Sequence, residues 1–255
     1  MRKIYQRDWF EIEFSSFTKT SSRTLADAAF YEAFYQAFFQ RYRLWDDLDL
    51  SWRNQKRAIA KFLMNYLGPA TNVLSVGCGL GWVEHCLLEM SRGAIHLEAT
   101  EVASASLEWL RQELPPGRLH LGAFPRCLPP GRRYDLIYLS IVDYCLDQAS
   151  LEGLLAQAAP LLAAGGKCLI ISGSLDITTR GWPRALSRVK QAAKALLEAL
   201  NLYQRGQFWG WSRTPQDYVK AFIRAGFAEI KEGFLEVPES AGLYWIEARP
   251  QGETP

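Results

Sequence analysis

Three glycines at alternate positions, Gly77, Gly79 and Gly81, follow directly on the short apolar run 73–76. Because glycine has no Cβ, such a turn can adopt positive φ angles and lets a ligand approach the main chain closely. The residues after the turn are predicted to start a helix, whose free N–H groups and positive dipole end favour an electron-rich ligand group. A dinucleotide site is one alternative, but its G-x-G-x-x-G fingerprint needs a glycine where this chain has Trp82.

A single carboxylate, Glu101, follows the next predicted strand, 94–100. Because parallel strands end at the same edge of a sheet, we expect Glu101 to lie beside the glycine turn. A carboxylate at that place can accept hydrogen bonds from both hydroxyls of a ribose. The plainer alternative is a solvated acid at a strand end, but the neighbouring glycines favour the ribose.

The end of the fourth predicted strand, 134–139, is the place where catalytic chemistry is expected, in the segment Ser140-Ile-Val-Asp-Tyr144. Asp143 is a candidate general base or could orient an acceptor, and Tyr144 could hydrogen-bond the acceptor or shape its pocket. The alternative places Asp143 in a solvated loop and packs Tyr144 on neighbouring elements.

A segment dense in aromatic residues, 206–213, supplies candidate acceptor-binding residues in Trp209, Trp211 and Arg213. Loops after the fifth strand lie over the carboxyl edge of such a sheet, so these side chains could line a pocket. A hydrophobic anchor for a lid, without substrate contact, is the competing interpretation.

The stretch 178–197 contains five basic residues and no acid, opposite an apolar helical face. It could dock on an anionic membrane or take an anionic substrate, or it could be a lid helix with a solvated charged face. The basic residues are Arg180, Arg184, Arg188, Lys190 and Lys194.

Composition and charge exclude several classes of function. The net charge of +2 is too small to favour nucleic acid as a partner. The five cysteines and three histidines show no metal-ligand spacing, so we expect no metal site. No stretch is long and apolar enough to span a membrane, and the first residues lack the apolar run of a signal peptide. We therefore expect a cytoplasmic protein whose cysteines are free.

Strands and helices alternate from residue 71 onwards, which predicts a mostly parallel sheet with helices on both faces. Before this region, residues 1–67 predict a helical N-terminal cap with an aromatic helix, 25–42, and a second helix, 52–67, capped by Ser51. After it, residues 173–213 predict an insertion containing a helix, 183–202. The remaining predicted elements are strands 119–122, 167–171, 228–235 and 243–248, and helices 82–90, 105–113, 151–162 and 215–226.

Residues 71–172 resemble the core of the class I S-adenosylmethionine (SAM)-dependent methyltransferases. The segment 73–81 resembles the first motif of that family, and Glu101 matches its ribose-binding acid. Further matches, in the order of the family, are the fourth-strand motif at 134–140, the turn at 161–167 and the turn at 222–227.

This resemblance implies an α/β, Rossmann-like, seven-stranded, mostly parallel sheet whose last strand is antiparallel. The SAM-binding domain would comprise residues 68–255, and S-adenosylhomocysteine would be the product. Two departures weaken the match, because Ser75 and Ala123 stand where the family usually has acids. The implied cofactor-binding residues are Ser75, Gly77, Cys78, Gly79, Gly81, Glu101, Val102, Ala123, Phe124 and Ser140.

The leading hypothesis is a methyltransferase that acts on a small organic acceptor, with a weak preference for oxygen because Asp143 could serve as a base. One alternative is a protein that binds SAM or a nucleoside without catalysis, motivated by Ser75 and Ala123. Another is a methyltransferase acting on a membrane-bound or lipid-linked acceptor, which leaves peripheral membrane contact open but needs no integral membrane segment. The sequence leaves the oligomeric state undetermined.

Overall fold

A computed structural model describes residues 1–176, 206–237 and 242–252 of the chain. The predicted helix 183–202 and the basic stretch around it lie outside the described residues. The described helices are α1 (Ala28–Arg41), α2 (Leu50–Leu63), α3 (Trp82–Ser91), α4 (Gln148–Ala158) and α5 (Pro215–Arg224). The described strands are β1 (Arg2–Gln6), β2 (Asp8–Trp9), β3 (Ile12–Glu13), β4 (Asn72–Val76), β5 (His96–Glu101), β6 (Leu119–Leu121), β7 (Tyr134–Ser140), β8 (Leu162–Ser172), β9 (Gln207–Ser212), β10 (Phe227–Leu235) and β11 (Leu243–Pro250).

Seven strands form one sheet in the order β10-β11-β8-β7-β4-β5-β6. Strands β4 to β8 are parallel, and β11 runs antiparallel to both of its neighbours, β8 and β10. The predicted seven-stranded sheet with an antiparallel last strand is therefore confirmed. All parallel strands end at one edge, which brings the loops after β4, β5, β6 and β7 together.

The central strand β7 shows why the sheet is buried on both faces. Its alternate residues Leu136 and Tyr138 belong to the core between the sheet and helices α2 and α3. Ile137 and Leu139 belong to the core on the opposite face, beneath α4 and α5. Because side chains along a strand alternate between faces, an apolar run of this kind needs cover on both sides.

The N-terminal region contains strands as well as the predicted helices. Strand β1 pairs antiparallel with β9, and β2 pairs with β3. Helix α2 begins earlier than predicted, because the Asp49 carboxylate accepts a hydrogen bond from the Trp52 N–H at 2.9 Å and takes the capping role expected of Ser51. The cap predicted as helical is therefore a mixed layer joined to the insertion through β1 and β9.

A second difference concerns the predicted helix 105–113, which is two short 3-10 turns, Ser104–Leu107 and Leu110–Gln112. The Glu32 carboxylate on α1 accepts a hydrogen bond from the Ala105 N–H at 3.1 Å. This contact holds the start of the segment against α1, so that packing on the cap overrides the local helical pattern.

Candidate active site

A cavity of about 510 Å³ lies at the carboxyl edge of the sheet, between the strand ends and the N-terminal layer. Two parts of its wall differ in chemistry. We name one part the cofactor half, after the binding role predicted for the glycine turn; it contains that turn and the polar side chains Lys56, Glu84 and Glu101. We name the other part the acceptor half, after the role predicted for Tyr144 and Trp209; it contains Trp9, Tyr31, Tyr144, Cys145 and Trp209.

The glycine turn has the backbone conformation that its composition predicts. Gly77, Gly79 and Gly81 have φ angles of 73°, 58° and 84°. A Cβ at Gly77 would lie 2.7 Å from Cγ2 of Val142, so a side chain there meets both strain and a clash. Trp82 turns its indole toward α2, where Nε1 donates to the Arg53 carbonyl at 3.1 Å.

Glu101 lines the cavity beside this turn, with 9% of the residue exposed. Its Oε2 accepts from the Gly79 N–H at 2.8 Å, and its Oε1 accepts from the N–H groups of Val102 and Ala103 at 2.6 and 3.2 Å. Burial raises the pKa of Glu101, while these backbone hydrogen bonds oppose the rise. Since a carboxylate oxygen has about two acceptor positions, Oε1 is fully used and Oε2 retains capacity for one ligand hydroxyl.

Ser75 is linked to a second carboxylate that the sequence analysis missed. The Ser75 hydroxyl donates to Oε1 of Glu84 at 2.6 Å, and the Tyr138 hydroxyl donates to the same atom at 2.6 Å. Glu84 lies in the first turn of α3 and lines the cavity, and burial raises its pKa. A carboxylate from α3 therefore lies where the usual strand acid of the resembled family is absent.

The other predicted cofactor-binding residues also line the cavity. Phe124 presents an aromatic side chain next to Ala123, in the loop after β6. The Ser140 hydroxyl has no hydrogen-bond partner among the described residues. Of the predicted cofactor set, Ser75 alone contacts the cavity indirectly, through Glu84, whereas the rest line it directly: Gly77, Cys78, Gly79, Gly81, Glu101, Val102, Ala123, Phe124 and Ser140.

Tyr144 lies in the acceptor half, where its ring stacks on Trp209 with centroids 5.9 Å apart. The Tyr31 hydroxyl, from α1, lies 3.1 Å from Sγ of Cys145. Burial raises the pKa of Tyr144 well above its usual value, so this hydroxyl stays protonated at neutral pH.

The Asp143 carboxylate does not line the cavity, contrary to its predicted place beside an acceptor. The residue is fully buried, and its Oδ2 accepts from the hydroxyls of Ser172 at 2.9 Å and Tyr218 at 2.5 Å. The 3-10 turn Asp143–Cys145 directs neighbouring side chains to different sides, so Tyr144 reaches the cavity and Asp143 does not.

Of the three predicted acceptor-binding residues, Trp209 lines the cavity, while Trp211 and Arg213 do not. The pairing of β1 with β9 skips Trp209, since Tyr5 pairs with Phe208 and Ile4 with Gly210. This bulge reverses the alternation of side chains along β9.

Because of the bulge, Trp211 packs on Phe208, with ring centroids 4.9 Å apart. Arg213 is fully buried and binds the backbone that carries Tyr144. Its guanidinium donates to the Asp143 carbonyl at 2.8 Å, to the Leu146 carbonyl, and to Oε1 of Gln148 at 3.3 Å. Arg213 was predicted to contact an acceptor, but in the structure it supports the loop after β7 instead.

The N-terminal layer supplies lining residues that were not singled out from the sequence. Tyr31 and Tyr35 are four residues apart on α1, as are Trp52 and Lys56 on α2. This i, i+4 spacing places each pair on one helix face, which is the signal that could have identified them. Burial lowers the pKa of Lys56 to about 8.

Within residues 1–176, 206–237 and 242–252, no group of three or more His, Cys, Asp or Glu side chains is placed to hold a metal ion. None of the helices described is long and apolar enough to cross a membrane.

No protein-family model matches the chain, and no curated protein matches it. Solved structures match over most of its length. A protein of Nostoc punctiforme PCC 73102 described as an O-methyltransferase has a TM-score of 0.57 and 19% identity, covering 92% of this chain and 66% of that one. Magnesium protoporphyrin IX methyltransferase from Synechocystis PCC 6803, with bound S-adenosylhomocysteine, has a TM-score of 0.57 and 16% identity, covering 88% of this chain and all of that one.

This chain has the fold of the class I SAM-dependent methyltransferases. Human N-acetylserotonin methyltransferase in complex with SAM shares this methyltransferase fold, with a TM-score of 0.50, 19% identity and 88% of this chain covered. The chain spans 66% of the Nostoc protein and 56% of the human one, or between about half and two thirds of their lengths.

Proposed function

We propose that this protein transfers a methyl group from SAM to a small organic acceptor, with a hydroxyl oxygen as the receiving atom. The observation that carries the proposal is the cavity itself, in which Glu101 and the glycine turn lie beside an aromatic acceptor half. The bound SAM and S-adenosylhomocysteine of the human and Synechocystis structures support this choice of cofactor.

The residues of the cofactor half fit a nucleoside that carries a thioether or sulfonium. Oε2 of Glu101 has capacity for a ribose hydroxyl, and the aromatic ring of Phe124 could pack on an adenine. The positive φ angles of the glycine turn leave its backbone open to close approach. SAM would supply an activated methyl group on its sulfonium.

The chain's own contribution to transfer is the alignment of the acceptor and the exclusion of water. Trp209 and Tyr144 offer stacked aromatic surface, and Tyr31 offers a hydroxyl that could hydrogen-bond an acceptor oxygen. Alignment can lower a barrier by about 7–11 kcal/mol, so transfer does not demand a charged base. The preference for oxygen accordingly rests on these hydroxyls and on the O-methyltransferase among the similar structures, and no longer on Asp143.

The test is a methyl-transfer assay with isotopically labelled SAM and a panel of aromatic acceptors in matched hydroxyl and amine pairs. We expect labelled product with hydroxyl acceptors and little with the matched amines. Product from amines alone would contradict the choice of oxygen. Absence of calorimetric binding of either SAM or S-adenosylhomocysteine would contradict the whole proposal.

A protein that binds the cofactor without catalysis is the second candidate. It is favoured by one observation, that the acceptor half contains no charged side chain among the described lining residues. Tight binding of S-adenosylhomocysteine, without turnover of any acceptor, would support this candidate instead. A lipid-linked acceptor would depend on the basic stretch outside the described residues.

A further inference from the structure

Glu84 has an oxygen that nothing in the described structure satisfies. The residue is 1% exposed, and its Oε1 accepts from the Ser75 and Tyr138 hydroxyls. Its Oε2 is buried and has no hydrogen-bond partner among the described residues. An unpaired buried carboxylate oxygen is unfavourable, and Glu84 lines the cavity, so a donor group on a ligand would relieve it.

Lys56 brings the opposite charge to the same half of the cavity. Its half-buried side chain extends from α2 and places Nζ 5.7 Å from the centre of the Trp52 ring. The two charges influence each other, but no ion pair within 4.0 Å joins Lys56 to Glu84 in the described part of the chain. An anionic group beside Lys56 would offset the loss of hydration around its ammonium.

We propose that Lys56 and Glu84 together recognise the amino-acid end of the cofactor, with Lys56 receiving its α-carboxylate and Oε2 of Glu84 receiving its α-ammonium. The inference rests on the proposed function, because it names the residues that would distinguish SAM from a simpler nucleoside. Complementary charges on two separate elements suit a zwitterion, whereas a neutral group would leave both unpaired.

Two variants and two ligands test this assignment by calorimetry. S-adenosylhomocysteine carries the amino-acid end, and 5′-methylthioadenosine has the same nucleoside and thioether without it. We expect Glu84→Gln and Lys56→Met each to weaken the affinity for S-adenosylhomocysteine by about tenfold or more, which is the lower end of the range for one charged hydrogen bond. The affinity for 5′-methylthioadenosine should stay within about twofold of the wild-type value. Lys56→Arg should restore most of the loss because it keeps the charge.

The controls are Lys61→Met and Glu89→Gln, exposed positions on the same helices α2 and α3, which should change neither affinity. The amide introduced by Glu84→Gln keeps an oxygen for the Ser75 and Tyr138 hydroxyls, so thermal unfolding should show that the variant is folded. Equal loss of both ligands, or unchanged affinity for S-adenosylhomocysteine, would overturn the inference alone. A wild-type protein that binds neither ligand would overturn the proposed function and this inference with it.

Discussion

The two halves of the cavity offer different chemistry to a ligand. The cofactor half offers backbone geometry and charge, since its glycines have positive φ angles and its lining includes Lys56, Glu84 and Glu101. The acceptor half offers aromatic surface and hydroxyl groups, brought together from the N-terminal layer, the end of β7 and the bulge of β9. The difference indicates that changes in one half should leave binding in the other largely intact.

Glu101→Ala is expected to give the largest effect that is confined to one half of the cavity, a loss of cofactor affinity. The variant removes the proposed ribose contact and three hydrogen bonds to backbone N–H groups. Loss of one charged hydrogen bond corresponds to about 1.5–3 kcal/mol, so S-adenosylhomocysteine should bind at least about tenfold more weakly in calorimetry. Glu108→Ala, an exposed neighbour, is the control and should bind normally. Unchanged affinity in Glu101→Ala would place the ribose elsewhere.

Gly210→Ala, in the acceptor half, is expected to impair acceptor binding and to leave cofactor binding unchanged. A Cβ at Gly210 would lie 2.2 Å from the Tyr144 carbonyl oxygen, and backbone cannot move aside easily. Overpacking of this kind costs about 2 kcal/mol, which chemical denaturation can measure. The KM for the acceptor should rise while S-adenosylhomocysteine affinity stays within about twofold. Gly153→Ala is the control and should lose no stability, because a Cβ there meets no atom within 4 Å. Equal effects of both variants would contradict the explanation by a clash with the Tyr144 carbonyl.

Asp143→Asn tests whether the buried carboxylate takes part in transfer. Its hydrogen bonds to Ser172 and Tyr218 support the loop after β7, so we expect a loss of about 1–2 kcal/mol in unfolding free energy. Because the carboxylate lies outside the cavity, the pH profile of kcat should keep its shape. A profile that loses its acidic limb in Asp143→Asn alone would return Asp143 to the role of proton acceptor.

A smaller difference between the halves is expected in how the free energy of unfolding changes at alkaline pH. Burial raises the pKa of Cys145, in the acceptor half, from 9.0 to about 12. A group whose pKa is raised in the folded state contributes stability that is present below pH 9 and lost as pH rises toward 12. Unfolding free energy should therefore fall by about 1 kcal/mol per pH unit in this range, and Cys145→Ser should reduce the slope.

Lys56, in the cofactor half, should change the free energy of unfolding at alkaline pH in the opposite direction to Cys145. Its pKa is lowered from 10.5 to about 8 in the folded protein, so its contribution to stability increases between pH 8 and 10.5. Lys56→Met should therefore make the alkaline loss of stability steeper than in the wild type. Parallel pH curves for wild type, Cys145→Ser and Lys56→Met would contradict both assignments.

The cofactor half could be predicted from sequence because its main parts are local. The glycine turn joins β4 directly to α3, and Glu101 ends the next strand, so strand order alone brings them together. Glu84 escaped prediction because nothing in its own segment marks it, and Lys56 because its spacing from Trp52 indicates a shared helix face but not what that face contacts. Lys56 acquires its place when α2 packs against α3, and Glu84 when Ser75 leaves room for a carboxylate from the helix.

The acceptor half was predicted less well, because single residues there depend on backbone irregularities. The bulge at Trp209 separates it from Trp211 and Arg213, although strict alternation would place all three on one face. A 3-10 turn likewise separates Tyr144 from Asp143. The order of the strands was enough to predict that these segments lie at the cavity. Which of their side chains face the cavity could be seen only in the tertiary structure.

The pairing of β1 with β9 has a consequence for the order in which the protein assembles. Arg2 bonds to Ser212, which lies 210 residues further along the chain. At about 5–20 residues per second, β1 would wait roughly 10–40 s on the ribosome for its partner strand. During that time the parallel strands β4 to β8 have already emerged, so the glycine turn can form before the aromatic wall closes over it.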